Sequence, residues 1–334
     1  MTARTRYFVV SSLAVLAVGL GTGLVAYYVG FPTSAFFNKG PEELRFVPST
    51  AVVVGYADVS QVMNSELRQR LHTAIASQWQ ENGQHEFENA TGINIETDLD
   101  HVIGCLDASN TDQPSHPSGL ILARGRFNES KIEMLMRDHG ATVETYKNKR
   151  IIVNPTPIND AFSLTFLEAG LAAFGSAALV HRAVDLETSG GESALTNDDL
   201  LTRIKSVDGT SAWAVGRFDV LRAKAQLPEA VANQLPPITW FVVSAQVDSG
   251  LRGAVQAEAR DDAAATNLRD VVRGFLALAK LQSGSKPEMQ ALLQSFELGG
   301  SGKNVALSFD IPSQAFDILS TFSQKPPASS TQSQ

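Results

Sequence analysis

At 334 residues the chain exceeds one typical domain of roughly 100–200 residues and has room for two beside a terminal segment. With 43% hydrophobic and 19% charged residues it has enough apolar material for a core, which excludes a wholly disordered chain. A net charge of -8 without any long cluster of Lys and Arg argues against a nucleic-acid partner, and a single cysteine, Cys105, excludes both an intrachain disulfide and a cysteine-rich metal site.

From Phe8 to Phe31 no residue is charged, and only Ser11, Ser12 and Thr22 carry hydroxyls. At about 1.5 Å per residue this segment spans a hydrocarbon core of roughly 30 Å with some tilt. Arg4 and Arg6 precede it, so the positive-inside rule predicts a cytoplasmic N-terminus and a periplasmic or otherwise extracytoplasmic body. Tyr27, Tyr28 and Phe31 suit the far interface, and Pro32 ends the helix. A cleaved signal is the competing reading, with Thr33-Ser34-Ala35 as its site, but such signals have apolar cores of only about 7–15 residues. The expectation is therefore an uncleaved single-pass anchor over residues 1–37. Gly19 and Gly23 form a small-xxx-small pair, which glycine's frequency in membrane helices explains without a dimer.

A linker, residues 38–43, leads to the body. Ala51–Val59 reads as a strand, and Ser60 opens a helix with Met63, Leu67, Leu71 and Ile75 at fourfold spacing. Strands are predicted at His101–Ala108 and Gly119–Phe127, then a helix capped by Asn128 with Ile132, Leu135 and Met136 inward. Two hairpins follow. Ala141–Tyr146 pairs with Arg150–Val153, and Phe162–Leu167 pairs with Leu171–Phe174 ahead of a helix through Leu179, Ala183 and Leu186.

The Gly190-Gly191 region reads as a linker, after which the pattern starts again. Val54-Gly55-Tyr56-Ala57-Asp58-Val59 is matched by Val215-Gly216-Arg217-Phe218-Asp219-Val220. Hairpin strands Thr239–Val247 and Leu251–Arg260 follow. A long helix, Asp262–Leu281, is expected to turn Leu268, Val271, Val272, Phe275, Leu276 and Ala279 inward. Helix Pro287–Gln294, a hairpin of Phe296–Leu298 with Val305–Ile311, and a last helix carrying Phe316, Leu319 and Phe322 complete the body. The expected fold is α+β, an N-terminal transmembrane helix followed by two related βαββα-type halves, residues 44–189 and 190–323, with mainly antiparallel sheets and a disordered tail at 324–334.

No pattern carries a reaction, and no catalytic residue, cofactor or metal site is predicted. His101, Cys105 and His116 form the closest ligand grouping, but positions 101 and 105 of an extended strand lie about 13 Å apart, too far for one ion. Cys105, between apolar neighbours, reads as a small buried hydrophobe. His72, His85, His139 and His181 are scattered, and G-x-S-x-G is absent. Gly299-Gly300-Ser301-Gly302-Lys303-Asn304 leads into a strand, where a phosphate loop needs a helix, and so reads as a hairpin turn. Asp58 and Asp219, at strand-to-helix junctions, fit helix caps. Trp213, Trp240 and Phe241 fit core strands, and Trp240, Phe241, Phe275 and Leu276 would line an apolar pocket if one exists.

Pro48–Val59, Gly119–Phe127, Gly170–Ser176, Trp213–Phe218 and Asn267–Ala279 resemble a group of bacterial single-pass membrane-anchored envelope proteins to which no activity is attached. The similarity runs from Leu44 to Leu319 and implies a bacterial envelope location. Three functional readings follow, in descending order. The first is a non-enzymatic envelope protein acting through protein contacts, the second a carrier or sensor of an apolar or lipid-like ligand, and the third an envelope hydrolase.

Overall fold

A computed structural model describes residues 41–69, 88–89, 91–108, 118–154, 162–224, 236–283 and 287–313. The predicted anchor, His72, His85, His116, the helix after Ser313 and the tail lie outside them. No helix among the described residues is long and apolar enough to cross a membrane.

The chain enters through a 3-10 turn, Glu42–Phe46, and then alternates strands with helices. β1 (Ala51–Asp58) runs into α1 (Val59–Asn64), where the Asp58 carboxylate accepts from the Gln61 N–H at 2.7 Å and caps the helix as predicted. After α2 (Ile95–Asp98) come β2 (Leu99–Asp107), β3 (Ser118–Gly125) and α3 (Glu129–Asp138), the last capped by Asn128. β4 (Thr142–Tyr146) and β5 (Lys149–Asn154) form a hairpin, as do β6 (Phe162–Glu168) and β7 (Leu171–Ser176), and α4 (Ala177–Ser189) follows. The second part comprises α5 (Asp198–Lys205), β8 (Ala212–Arg217), α6 (Phe218–Lys224), β9 (Ile238–Val247), β10 (Gly250–Ala259), α7 (Asp262–Ser283), α8 (Pro287–Gln294), β11 (Phe296–Gly299) and β12 (Asn304–Pro312).

The strands form one continuous sheet of twelve, in the order β11-β12-β10-β9-β8-β1-β2-β3-β7-β6-β5-β4, and every neighbouring pair is antiparallel. The α+β class is thus correct. β1 and β8 meet at the middle of the sheet with Val54 opposite Val215. From this seam the strands run outward as β1-β2-β3-β7-β6 on one side and β8-β9-β10-β12-β11 on the other, and the β4–β5 hairpin extends the first side.

Alternation along each strand divides the core between two faces. On the first face Leu44 and Phe46 of the entry turn, Ile103, Leu120, Leu122, Ile151, Trp213 and Val215 pack under Leu179, Val180, Ala183 and Val184 of α4 and Leu200 and Ile204 of α5. On the second, Val59 of α1 joins Ala57, Val102 and Ala245, while Ala264, Ala265 and Leu268 of α7 cover Ala259 and Val305. The Gly190–Asn197 stretch is not a free linker. Gly190 turns the chain out of α4 with φ of +67°, and Ala194, fully buried, donates to the Val47 carbonyl at 2.8 Å. α5 follows where only Leu200 and Ile204 mark an apolar stripe, too short a pattern to read as a helix from sequence.

Candidate functional site

Trp240, Phe241, Phe275 and Leu276 do not come together. Trp240 and Phe241 are consecutive on β9 and so point to opposite faces. Trp240 packs at the border of the first core beneath the guanidinium groups of Arg203 and Arg217, 4.1 and 5.5 Å from its ring centre. Phe241 lies with Ala214 and Val243 on the other face. Phe275, expected inward, is 66% exposed. Leu276 and Ala279, also expected inward, are half-buried, and the inward line of the second half of α7 ends on the buried Ser283.

A buried polar cluster lies on the first face at the end of β1, β2, β3 and β7. Cross-strand pairing aligns Asp58 with His101 and His101 with Arg124, and the entry turn lowers Glu43 onto them. Arg124 Nε and Nη2 reach Glu43 Oε1 at 2.9 and 2.8 Å, and Nη2 also reaches Glu168 Oε2 at 3.4 Å. Arg45 pairs with the other oxygen of Glu168. His101 Nε2 lies 3.2 Å from Glu43 Oε1, close enough for attraction but not aligned as a hydrogen bond. Burial opposes ionisation of Glu43, but the contact with His101, its own backbone N–H and Arg124 outweigh it and hold the carboxyl at about 2. Burial and the nearby carboxylates of Asp58, Glu43 and Asp208 push the Tyr56 phenol up. Chemically this is a clamp, which fixes the incoming chain to β2, β3 and β6.

The sequence reading missed Glu43 and Arg124. The available signal was Arg124 itself, third in the inward series Leu120, Leu122, Arg124, where an arginine requires a buried acidic partner. Cys105, 4% exposed, lies in the first core beside Leu120, and burial pushes its thiol up to about 12. His181 Nε2 lies 2.9 Å from Glu144 Oε1, and Asp219 pairs with Arg217 at 2.6 Å. Gly299–Asn304 lies at the β11–β12 turn, with Gly300 at φ +93° and Gly302 at φ +54°.

At the far end of the first side, β4 closes the sheet order and no described strand pairs with its outer edge. Lys147 and Asn148 are both left-handed, with φ of 46° and 65°, and form the two-residue turn to β5. In such a hairpin the flanking Tyr146 and Lys149 exchange hydrogen bonds, so Glu144 and Thr142 also bond inward and Val143 and Thr145 turn their N–H and C=O groups out. Those two residues line an open depression of about 530 Å³ with Arg137, Ala141, Thr142 and Arg150. A second depression, about 380 Å³, continues it along α3 past Ser130, Glu133 and Met134. Arg137 and Arg150 are both largely exposed and share one carboxylate, Glu133, at 3.6 and 2.5 Å. Arg150 is the β5 partner of Thr145 and α3 packs on β5, so the two guanidinium groups, half neutralised, stand on the face of the hairpin next to its outer edge.

A third surface lies at the opposite end of the sheet, where the second half of α7 exposes Phe275, Leu278 and Leu281. Comparison with known protein families, curated proteins and solved structures gives no match.

Proposed function

We propose that this chain is a single-pass membrane-anchored protein of the bacterial envelope that acts by contact, with no reaction of its own, and that its open β4 edge takes up an extended acidic segment of a partner protein. The anchor is the charge-free segment Phe8–Phe31, and the body lies outside the cytoplasm. The body consists of two related halves, residues 44–189 and 190–323. Their relation is supported by the common outward strand order and by the seam, where Val54 and Val215, matched in the two motifs, face each other. A half turn about an axis through that pair, normal to the sheet, exchanges β1 with β8.

The observation that carries the contact reading is the groove beside β4. An edge strand is normally blunted or covered, and here no described strand pairs with the outer edge of β4, while Arg137 of α3 and Arg150 of β5 stand on the adjoining face. Arg137 and Arg150, with one carboxylate between them, favour an acidic occupant. A second copy of β4 is disfavoured, because a two-fold pairing centred on Glu144 sets two carboxylates opposite each other.

Amide exchange at Val143 and Thr145 tests this in the full chain, with an alternating Glu-Val decapeptide as probe. The peptide is expected to slow both amides at least tenfold. Thr145→Pro, which removes an outward N–H, and Arg150→Glu should each abolish the effect. Unchanged exchange at saturating peptide, or equal protection by an alternating Lys-Val peptide, would refute the assignment.

A further inference from the structure

α7 is 22 residues long, but only part of it belongs to the core. Ala264, Ala265 and Leu268 are buried, with Val272 half-buried against Ala259 and Val305. Beyond Val272 the outward side stays apolar: Phe275 is 66%, Leu278 53% and Leu281 77% exposed, and Gly274 and Ala277 lie between them. At about 100° per residue these five positions occupy an arc of roughly 160° that holds no charged side chain over residues 274–281. Lys280 and Arg273 stand at one margin of that arc, Arg273 paired with Asp270 at 2.9 Å one turn before it. Half of the six large hydrophobic side chains exposed among the described residues fall among these five positions. Scattered apolar exposure needs no explanation, whereas a contiguous helical face does.

We infer that this face of α7 lies on the lipid surface, so that the body rests on the bilayer to which its N-terminal segment is anchored. The inference rests on the anchored reading above and adds the orientation of the body. The chain outside the described region supplies the argument for the occupant. Phe31, where the expected span ends before Pro32, precedes Pro41, where the described body begins, by ten residues, and ten residues reach at most about 35 Å. A body of this length is roughly 50 Å across. Its tether is therefore shorter than its width and keeps the entry turn within about 35 Å of the bilayer. A tethered surface has a far higher effective concentration than a second copy. An apolar helix face with basic residues at its margin is also the pattern of a helix lying in the interface, where the ammonium and guanidinium groups reach the headgroups.

The test uses the full chain in phosphatidylcholine nanodiscs. Cys105 is buried, so a cysteine introduced as Leu281→Cys takes an environment-sensitive nitrobenzoxadiazole label selectively. Thr142→Cys, exposed on β4 at the other end of the sheet, serves as the reference position. The label at 281 is expected to brighten at least twofold relative to detergent-free water and to be quenched by doxyl-labelled acyl chains, while the label at 142 does neither. Adding Phe275→Asp should reverse the brightening at 281. Chains retained on the discs with no quenching at 281 overturn the inference and leave the anchor intact. Protection at 281 that needs two chains per disc assigns the face to a second copy and overturns it as well. Chains that do not stay with the discs refute the anchor, and the inference falls with it.

Discussion

At the β1–β8 seam, Val54 faces Val215, Tyr56 stacks on Trp213 with ring centres 5.8 Å apart, and both sheet faces are covered. At β4 and along the outer side of α7, by contrast, backbone groups and apolar side chains meet solvent. Eleven inter-strand spacings separate the two outermost strands, up to roughly 50 Å along a flat sheet. Cohesion is concentrated where the two sides of the sheet join, and the open strand edge and the exposed apolar side chains lie at opposite ends. On the proposed reading, one end rests on lipid while the other offers an open strand edge to a partner.

The seam is the place to break this arrangement most severely. Trp213 is fully buried, and truncating it removes an indole from the middle of the first core. Trp213→Ala is expected to cost about 3–5 kcal/mol in urea denaturation, whereas Leu281→Ala, at the exposed end, should stay within about 0.5 kcal/mol. Trp213→Phe should recover much of the loss. It refills most of the space and removes an indole N–H that has no acceptor among the described residues. If truncations at 213 and 281 cost the same, cohesion is not concentrated at the seam.

The clamp at Glu43 gives the next largest effect, and one that depends on pH. Its carboxyl ionises at about 2 in the folded chain against an ordinary value of 4.5, so the folded state favours the ionised form. The stabilisation is complete above the ordinary value and is lost as the pH falls from about 4.5 towards 2. Glu43→Gln is expected to cost on the order of 2 kcal/mol at pH 7, because Arg124 loses its buried counter-charge. The stability difference between wild type and variant should shrink over that pH range. A difference that stays constant down to pH 2 would mean that packing, not charge, fastens the entry turn.

These two sites also mark what was legible in the sequence and what was not. Local pattern was sufficient for the strands and hairpins, since alternation at Leu120–Ala123 and the Lys147-Asn148 turn are short-range signals. The repeat of Val54-Gly55 at Val215-Gly216 located the two strands that form the seam, though nothing in it revealed that they pair with each other. The Glu43–Arg124 contact spans 81 positions and depends on register, which sequence spacing does not encode. Phe275 was misplaced because helical periodicity predicts which side chains share a face, not how much of that face its neighbours cover. The β4 groove was invisible for a related reason. Arg137 and Arg150 come from different elements, and only the fold sets both beside Glu133.

The smallest expected effect sharpens the contrast at the β4 end. The β4–β5 hairpin is the piece that the first side has and the second lacks, and its turn places two non-glycine residues in the left-handed region. Lys147 is engaged there, with its ammonium 2.7 Å from Asp185 at the end of α4, so replacing it would disturb more than the turn. The Asn148 side chain makes no hydrogen bond or ion pair among the described residues, and its φ of 65° is one that glycine adopts at lower cost. Asn148→Gly should therefore stabilise the hairpin by about 0.5 kcal/mol or less, a gain limited by the greater freedom glycine has in the unfolded chain. The relevant readout is local: amide exchange across β5 should slow slightly while exchange at the β1–β8 seam is unchanged. Slower exchange at both places would mean that the hairpin opens only with the whole sheet. The β4 edge would then be as rigid as the seam.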